Sequence, residues 1–145
     1  MRKATRSSSC FCVRRHLASG FLRANLRLNG LAPMNYRHGQ WNIPAREQVR
    51  GGLHRGSVVR GRFDLIIGSD LLYERDALGG LAAFISRHAH AQSEVWIVDP
   101  DRSNRVSFNR QMAELGLSMT EQRIDVAASA GIDAYKGRLL KYGWS

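Results

Sequence analysis

The sequence predicts an α/β domain with a mostly parallel sheet that closes on a C-terminal antiparallel hairpin, and three observations predict it. Residues 63–68 (FDLIIG) and 94–99 (EVWIVD) are short, nearly continuous apolar runs, as expected of strands buried on both faces of a sheet. Each is followed by a stretch with helical apolar spacing, at 76–91 and 104–115, and alternating strand and helix is the pattern of parallel sheets. Two more strand candidates, 118–126 and 136–144, then follow with only the small-residue stretch AASAGID between them, which reads as a closing hairpin. The 145 residues suffice for one domain with its own core.

Taken in order, residues 1–20 (MRKATRSSSCFCVRRHLASG) have no period and read as a basic, disordered tail with strand character at 10–14. Residues 21–29 (FLRANLRLN) place Phe21, Leu22, Leu26 and Leu28 at helical spacing, and Gly30 follows where a C-cap glycine stands. Residues 34–38 read as a strand, and 39–61, with five glycines and one proline, as a long loop. After the first apolar strand, Leu78, Leu81, Ala82, Ile85 and Ala89 share a helix face, with Asp76 as the expected N-cap and the Gly79-Gly80 pair weakening the pattern. Pro100 closes the second apolar strand, and Val106, Phe108, Met112 and Leu115 give the next helix, ending at Gly116.

Charge is unevenly placed. Nine of the 22 Lys and Arg precede the first carboxylate, Glu47, whereas the remainder carries 13 basic against 12 acidic residues. An acid-free, Arg- and Ser-rich start suits a nucleic-acid contact or a transit segment. Few aromatics stand among these arginines (Phe11, Phe21, Tyr36), which disfavours a nucleic-acid module. Cys10 and Cys12 are too few for a disulfide framework or a cysteine zinc site. No apolar run approaches the roughly 20 residues that span a bilayer, so the expectation is a cytoplasmic, monomeric protein without a metal or a membrane.

In open α/β sheets, ligands bind beyond the carboxyl ends of the strands. The candidate site is therefore Gly68-Ser69-Asp70 together with Asp99-Pro100-Asp101-Arg102, with Tyr73 one helical turn past Asp70. At these residues the chain resembles a family. FDLIIGSDLLYE, residues 63–74, is similar to the fourth-strand segment of class I S-adenosylmethionine-dependent methyltransferases. The resemblance is to the protein lysine methyltransferase branch with a D-x-x-Y signature, matched by Asp70 and Tyr73. IVDPDR, residues 97–102, resembles the D-P-x-R fifth-strand ending of the sub-branch that methylates the electron-transfer flavoprotein β subunit. FLRANLRLNGL resembles the helix between the second and third strands, Trp41 stands where a tryptophan often follows strand three, and residues 135–144 match the antiparallel last strand.

The resemblance implies a partial Rossmann-like methyltransferase sheet with S-adenosylmethionine as cofactor and a protein lysine or small amine as acceptor. It implies that Gly68 and Ser69 border the cofactor, that Trp41 packs near its adenine, and that Asp70 and Tyr73 orient the acceptor amine. Asp99 and Arg102 would line the acceptor side. The family's Gly-rich first-strand loop and its ribose-binding acid have no counterpart, since no G-x-G precedes Phe63 and no acid precedes Glu47. The expectation is an N-terminally truncated methyltransferase lacking the first strand, residues 21–145 being its C-terminal part. A catalytically silent remnant and a basic nucleic-acid binder are the alternatives. Blander roles are open for each residue: Asp70 as a turn cap, Tyr73 at the core edge, Trp41 as a loop anchor, Arg102 paired with Asp101 or solvent. His88 and His90, two apart, fall on different helix faces and do not read as a metal pair.

Overall fold

A computed structural model of the chain describes residues 9–11, 18–37, 41, 59–72 and 79–144. They divide into two units, residues 1–60 and 61–145. In the first, strand β1 (Ser9–Phe11), helix α1 (Ala18–Leu28) and strand β2 (Asn35–Arg37) follow one another, and the two strands pair in parallel with Ser9 opposite Asn35. β1 overlaps the strand expected at 10–14; the rest of the 39–61 loop apart from Trp41, Val59, Arg60 and Gly61 lies outside the described residues.

Helix α1 ends as its sequence predicts. Gly30 takes the left-handed φ of 62°, the Leu31 N–H donates to the Leu26 carbonyl at 2.8 Å and the Gly30 N–H to the Arg27 carbonyl at 3.2 Å, the paired closure a C′ glycine permits. The apolar face is narrower than the spacing predicts. Leu26 is buried, but Phe21 and Leu28 are exposed.

The second unit runs β3 (Leu65–Ser69), α2 (Gly80–His88), β4 (Glu94–Asp99), α3 (Arg105–Glu114), β5 (Leu117–Val126) and β6 (Tyr135–Trp144). Its sheet has the order β3-β4-β6-β5. β3 and β4 are parallel, with Ile66 beside Val95 and Gly68 beside Ile97, while β6 runs antiparallel to both β4 and β5. The last strand thus inserts between β4 and β5. This corrects the expectation of a mostly parallel sheet: a hairpin strand placed internally makes two of this sheet's three pairings antiparallel.

One face of the sheet builds the core. Ile66, Val95, Ile97, Leu140 and Tyr142 pack with Leu81, Ala82 and Ile85 of α2 and Phe108 and Met112 of α3, all buried. Phe108 meets the Tyr142 ring edge-on at 5.6 Å, and the Tyr142 hydroxyl donates to Asn109 Oδ1 at 2.5 Å. The same burial pushes the Tyr142 phenol well above its usual range, desolvation being the main cause.

Two further expectations are corrected. β3 is not buried on both faces: Ile66 and Gly68 face inward, whereas Leu65 and Ile67 are 44% and 60% exposed. β3 ends the sheet order, and among the described residues only one of its faces is covered. Helix α2 begins at Gly80 with Gly79, at φ 65°, in the N-cap position, not at Asp76, which lies outside the described residues. It ends at His88, before His90. At this end of the sheet Ser93 is buried, donating to the Phe63 carbonyl at 2.6 Å and accepting from the His90 N–H at 2.7 Å. Among the described residues no helix is long and apolar enough to cross a membrane.

Candidate functional site

The parallel strands β3 and β4 end side by side, with Ser69 opposite Val98. β3 then leaves the sheet abruptly: the Asp70 N–H donates to the Val98 carbonyl at 3.0 Å while Asp70 itself adopts φ 52°, a left-handed conformation uncommon outside glycine and tolerated by Asp. Gly68 is needed just before this bend. A Cβ there would collide with the Leu71 side chain and come within 2.9 Å of Ile97 Cδ1.

β4 ends on a second tight turn. Asp99 is wholly buried, and its Oδ2 accepts the Arg102 backbone N–H at 3.0 Å, closing Asp99-Pro100-Asp101-Arg102 on itself. Asp101, at φ 60°, takes the left-handed position within the turn. The closure brings the Arg102 side chain back toward β3, where Nη2 and Nε donate to one oxygen of Asp70, Oδ1, at 3.0 and 3.3 Å. The two strand tips singled out from the sequence are therefore joined by an ion pair. Arg102 pairs with Asp70 rather than with Asp101, and the turn that the Asp70 side chain could otherwise cap lies mostly outside the described residues. Both members are about half exposed, so the pair contributes little to stability and remains accessible.

Asp101 has other partners. Its Oδ1 accepts from Arg105 Nη1 at 2.8 Å and from Arg138 Nε at 2.6 Å, and Arg138 also binds Glu121. These bonds, that of Arg138 foremost, lower the Asp101 carboxyl below its usual range. Asp99 is moved the other way. Burial raises it, the Arg102 N–H and Arg105, 3.8 Å away, offsetting only part, and its Oδ1 has no hydrogen-bond partner among the described residues.

The remaining candidates are placed differently. Ser69 is exposed at the tip of β3, and Gly68 is buried one residue behind it. Trp41 is half-buried and belongs to the first unit, and Tyr73 lies outside the described residues. Sequence reasoning missed Arg105, Glu121, Tyr135 and Arg138. The Asp101–Arg105 spacing of four residues was a readable signal; Glu121 and Arg138 reach the site only because β6 lies between β4 and β5.

No family profile and no curated protein matches the sequence. Solved structures do match. A methyltransferase from Pyrococcus furiosus is 18% identical with a TM-score of 0.58, the match covering 87% of this chain and 57% of that one. A precorrin-6y C5,15-methyltransferase from Geobacter metallireducens is 13% identical with a TM-score of 0.63, covering 94% and 67%. A precorrin 8w decarboxylase from Methanobacterium thermoautotrophicum is 14% identical with a TM-score of 0.58, covering 97% and 70%. The chain spans little more than half the length of the first of these. At such identities the likeness establishes the fold alone, a mixed α/β, partial Rossmann-like fold shared with these structures.

Proposed function

We propose that the chain is the C-terminal part of a class I S-adenosylmethionine-dependent methyltransferase that acts on an amine, either a protein lysine or a small amine. The observation that carries this reading is the Asp70–Arg102 pair at the adjoining tips of β3 and β4. Arg102 donates both of its bonds to one oxygen of Asp70, Oδ1, so Oδ2 is without a partner among the described residues. An amine acceptor needs such an oxygen. The methyltransferase-type fold adds support, because in open α/β sheets this crevice is where ligands lie.

The residues fit one side of the cofactor. Ser69 and the backbone edge of β3, unpaired among the described residues, offer polar groups at the strand tip, and the crowded Leu71–Gly68–Ile97 contact makes a firm floor behind them. The ribose side is not matched, since residues 1–46 contain no carboxylate to hold its hydroxyls. When bound, the cofactor supplies the activated methyl group, and the chain's own part is positioning. Asp70 Oδ2 would accept an N–H of the acceptor and aim its lone pair, and Arg102 would hold the carboxylate in one rotamer. Asp99 would fix Arg102 through the backbone. The test is transfer of labelled methyl groups to a lysine-containing peptide and to a small amine. Asp70→Asn is expected to lower transfer about tenfold or more while leaving affinity for S-adenosylhomocysteine within about twofold. Undiminished transfer by the variant would remove Asp70 from the reaction.

A further inference from the structure

Tyr135 opens β6 at the same end of the sheet as the tips of β3 and β4, since β6 runs antiparallel to β4 with Arg138 opposite Asp99. Register places Ser69, Val98 and Leu139 in one cross-strand row on the sheet face opposite the core, and Gly137 is the next position of β6 on that face toward the strand tips. The Tyr135 side chain folds back over Gly137. A Cβ on Gly137 would lie 2.5 Å from the Tyr135 hydroxyl and 2.7 Å from the Asp99 carbonyl oxygen, so the hydroxyl is seated in a niche that only glycine leaves open.

That hydroxyl is unspent. Tyr135 is half-buried and has no hydrogen-bond partner among the described residues, although partly buried tyrosine hydroxyls ordinarily find one. Desolvation first, and then the charges of Asp99, Asp70 and Asp101, each of them also met by an arginine, disfavour its phenolate, which keeps it a neutral donor and acceptor. A cationic or amine ligand is the chemistry that suits a neutral hydroxyl beside three carboxylates.

Resting on the amine-methyltransferase reading above, we infer that Tyr135 is a further ligand-contacting residue, whose hydroxyl, seated over Gly137, hydrogen-bonds the nitrogen of an amine held at Asp70. Two oxygens then fix the nitrogen, one from the bend just after β3 and one from β6. Gly137 is the positioning residue that makes room for the second.

The experiment is a titration of the full 15N-labelled chain with n-butylamine hydrochloride, with sodium butyrate at equal ionic strength as the control, following the amide signals of Ser69, Asp70 and Gly137. The expected result is a saturable shift with the amine and none with butyrate. Tyr135→Phe should weaken amine binding about fivefold, the loss of one neutral hydrogen bond. Equal affinity in Tyr135→Phe, equal shifts by butyrate, or no saturable shift in the wild type would each overturn the inference. Binding of S-adenosylhomocysteine in the same samples separates the two failures: retained, it leaves the methyltransferase reading standing without Tyr135; absent, it removes that reading itself.

Discussion

Asp99 and Asp101, two residues apart in one turn, respond to pH in opposite directions. The Asp99 carboxyl is raised in the folded protein because its charge is buried. A raised carboxyl favours folding below its unfolded value of 3.8, and that advantage is lost as pH rises through the folded value. Asp99→Asn keeps an oxygen for the Arg102 N–H and removes the buried charge. The stability of Asp99→Asn relative to wild type should therefore increase between about pH 3 and about pH 7 in urea unfolding; a difference that does not change with pH would contradict the assignment. Asp101 is lowered by Arg138 and Arg105, so its contribution is full above 3.8 and fades as pH falls through the folded value. Asp101→Asn should lose stability against wild type at neutral pH, and the loss should disappear in acid. Asp99, Asp101 and Arg102 were all visible in the sequence as a strand exit. Which carboxylate was buried was not, because burial depends on Leu140, Tyr142 and the helices that cover that face.

At the scale of the element, β3 shows what an apolar run can and cannot say. FDLIIG was readable as a strand, and β4 was readable to the residue, but a continuous apolar run does not reveal which face is covered. Alternation would have decided it, and Leu65, Ile66 and Ile67 give none. The structure separates these residues sharply, with Ile97 of β4 wholly buried and Ile67 of β3 60% exposed. Ile97→Ala should cost about 2–4 kcal/mol and Ile67→Ala less than about 1 kcal/mol, read as the shift in urea midpoint at constant slope. Comparable losses at the two positions would mean that the open face of β3 is covered in solution. The start of α2 was misplaced for a local reason. Asp76 is the better capping residue by composition, but the left-handed Gly79 sets the start at Gly80, and an adjacent glycine pair hides that choice.

At the scale of the whole molecule, the order of the described elements, the terminal hairpin and the choice of the two strand ends as candidate site were legible, because β-α-β-α patterning and strand-end chemistry are local signals; the Asp70–Arg102 pair that joins those ends was not. The insertion of β6 between β4 and β5 was not read from spacing or periodicity. The family resemblance implied only an antiparallel last strand at residues 135–144, and on the insertion depend the meeting of Arg138 and Glu121 with Asp101 and the placing of Tyr135 beside the site. Among the described residues, the ion pairs of the site are drawn from residues 70–138. The central claim is that the tips of β3 and β4 form one wall of an S-adenosylmethionine pocket. Calorimetric titration of the purified chain with S-adenosylhomocysteine tests it most directly. The account predicts saturable binding with a dissociation constant of about 1–100 μM, and amide shifts confined to Ser69, Asp70 and their neighbours in the matching NMR titration. A folded chain that releases no heat and shifts no amide at those strand tips would contradict it.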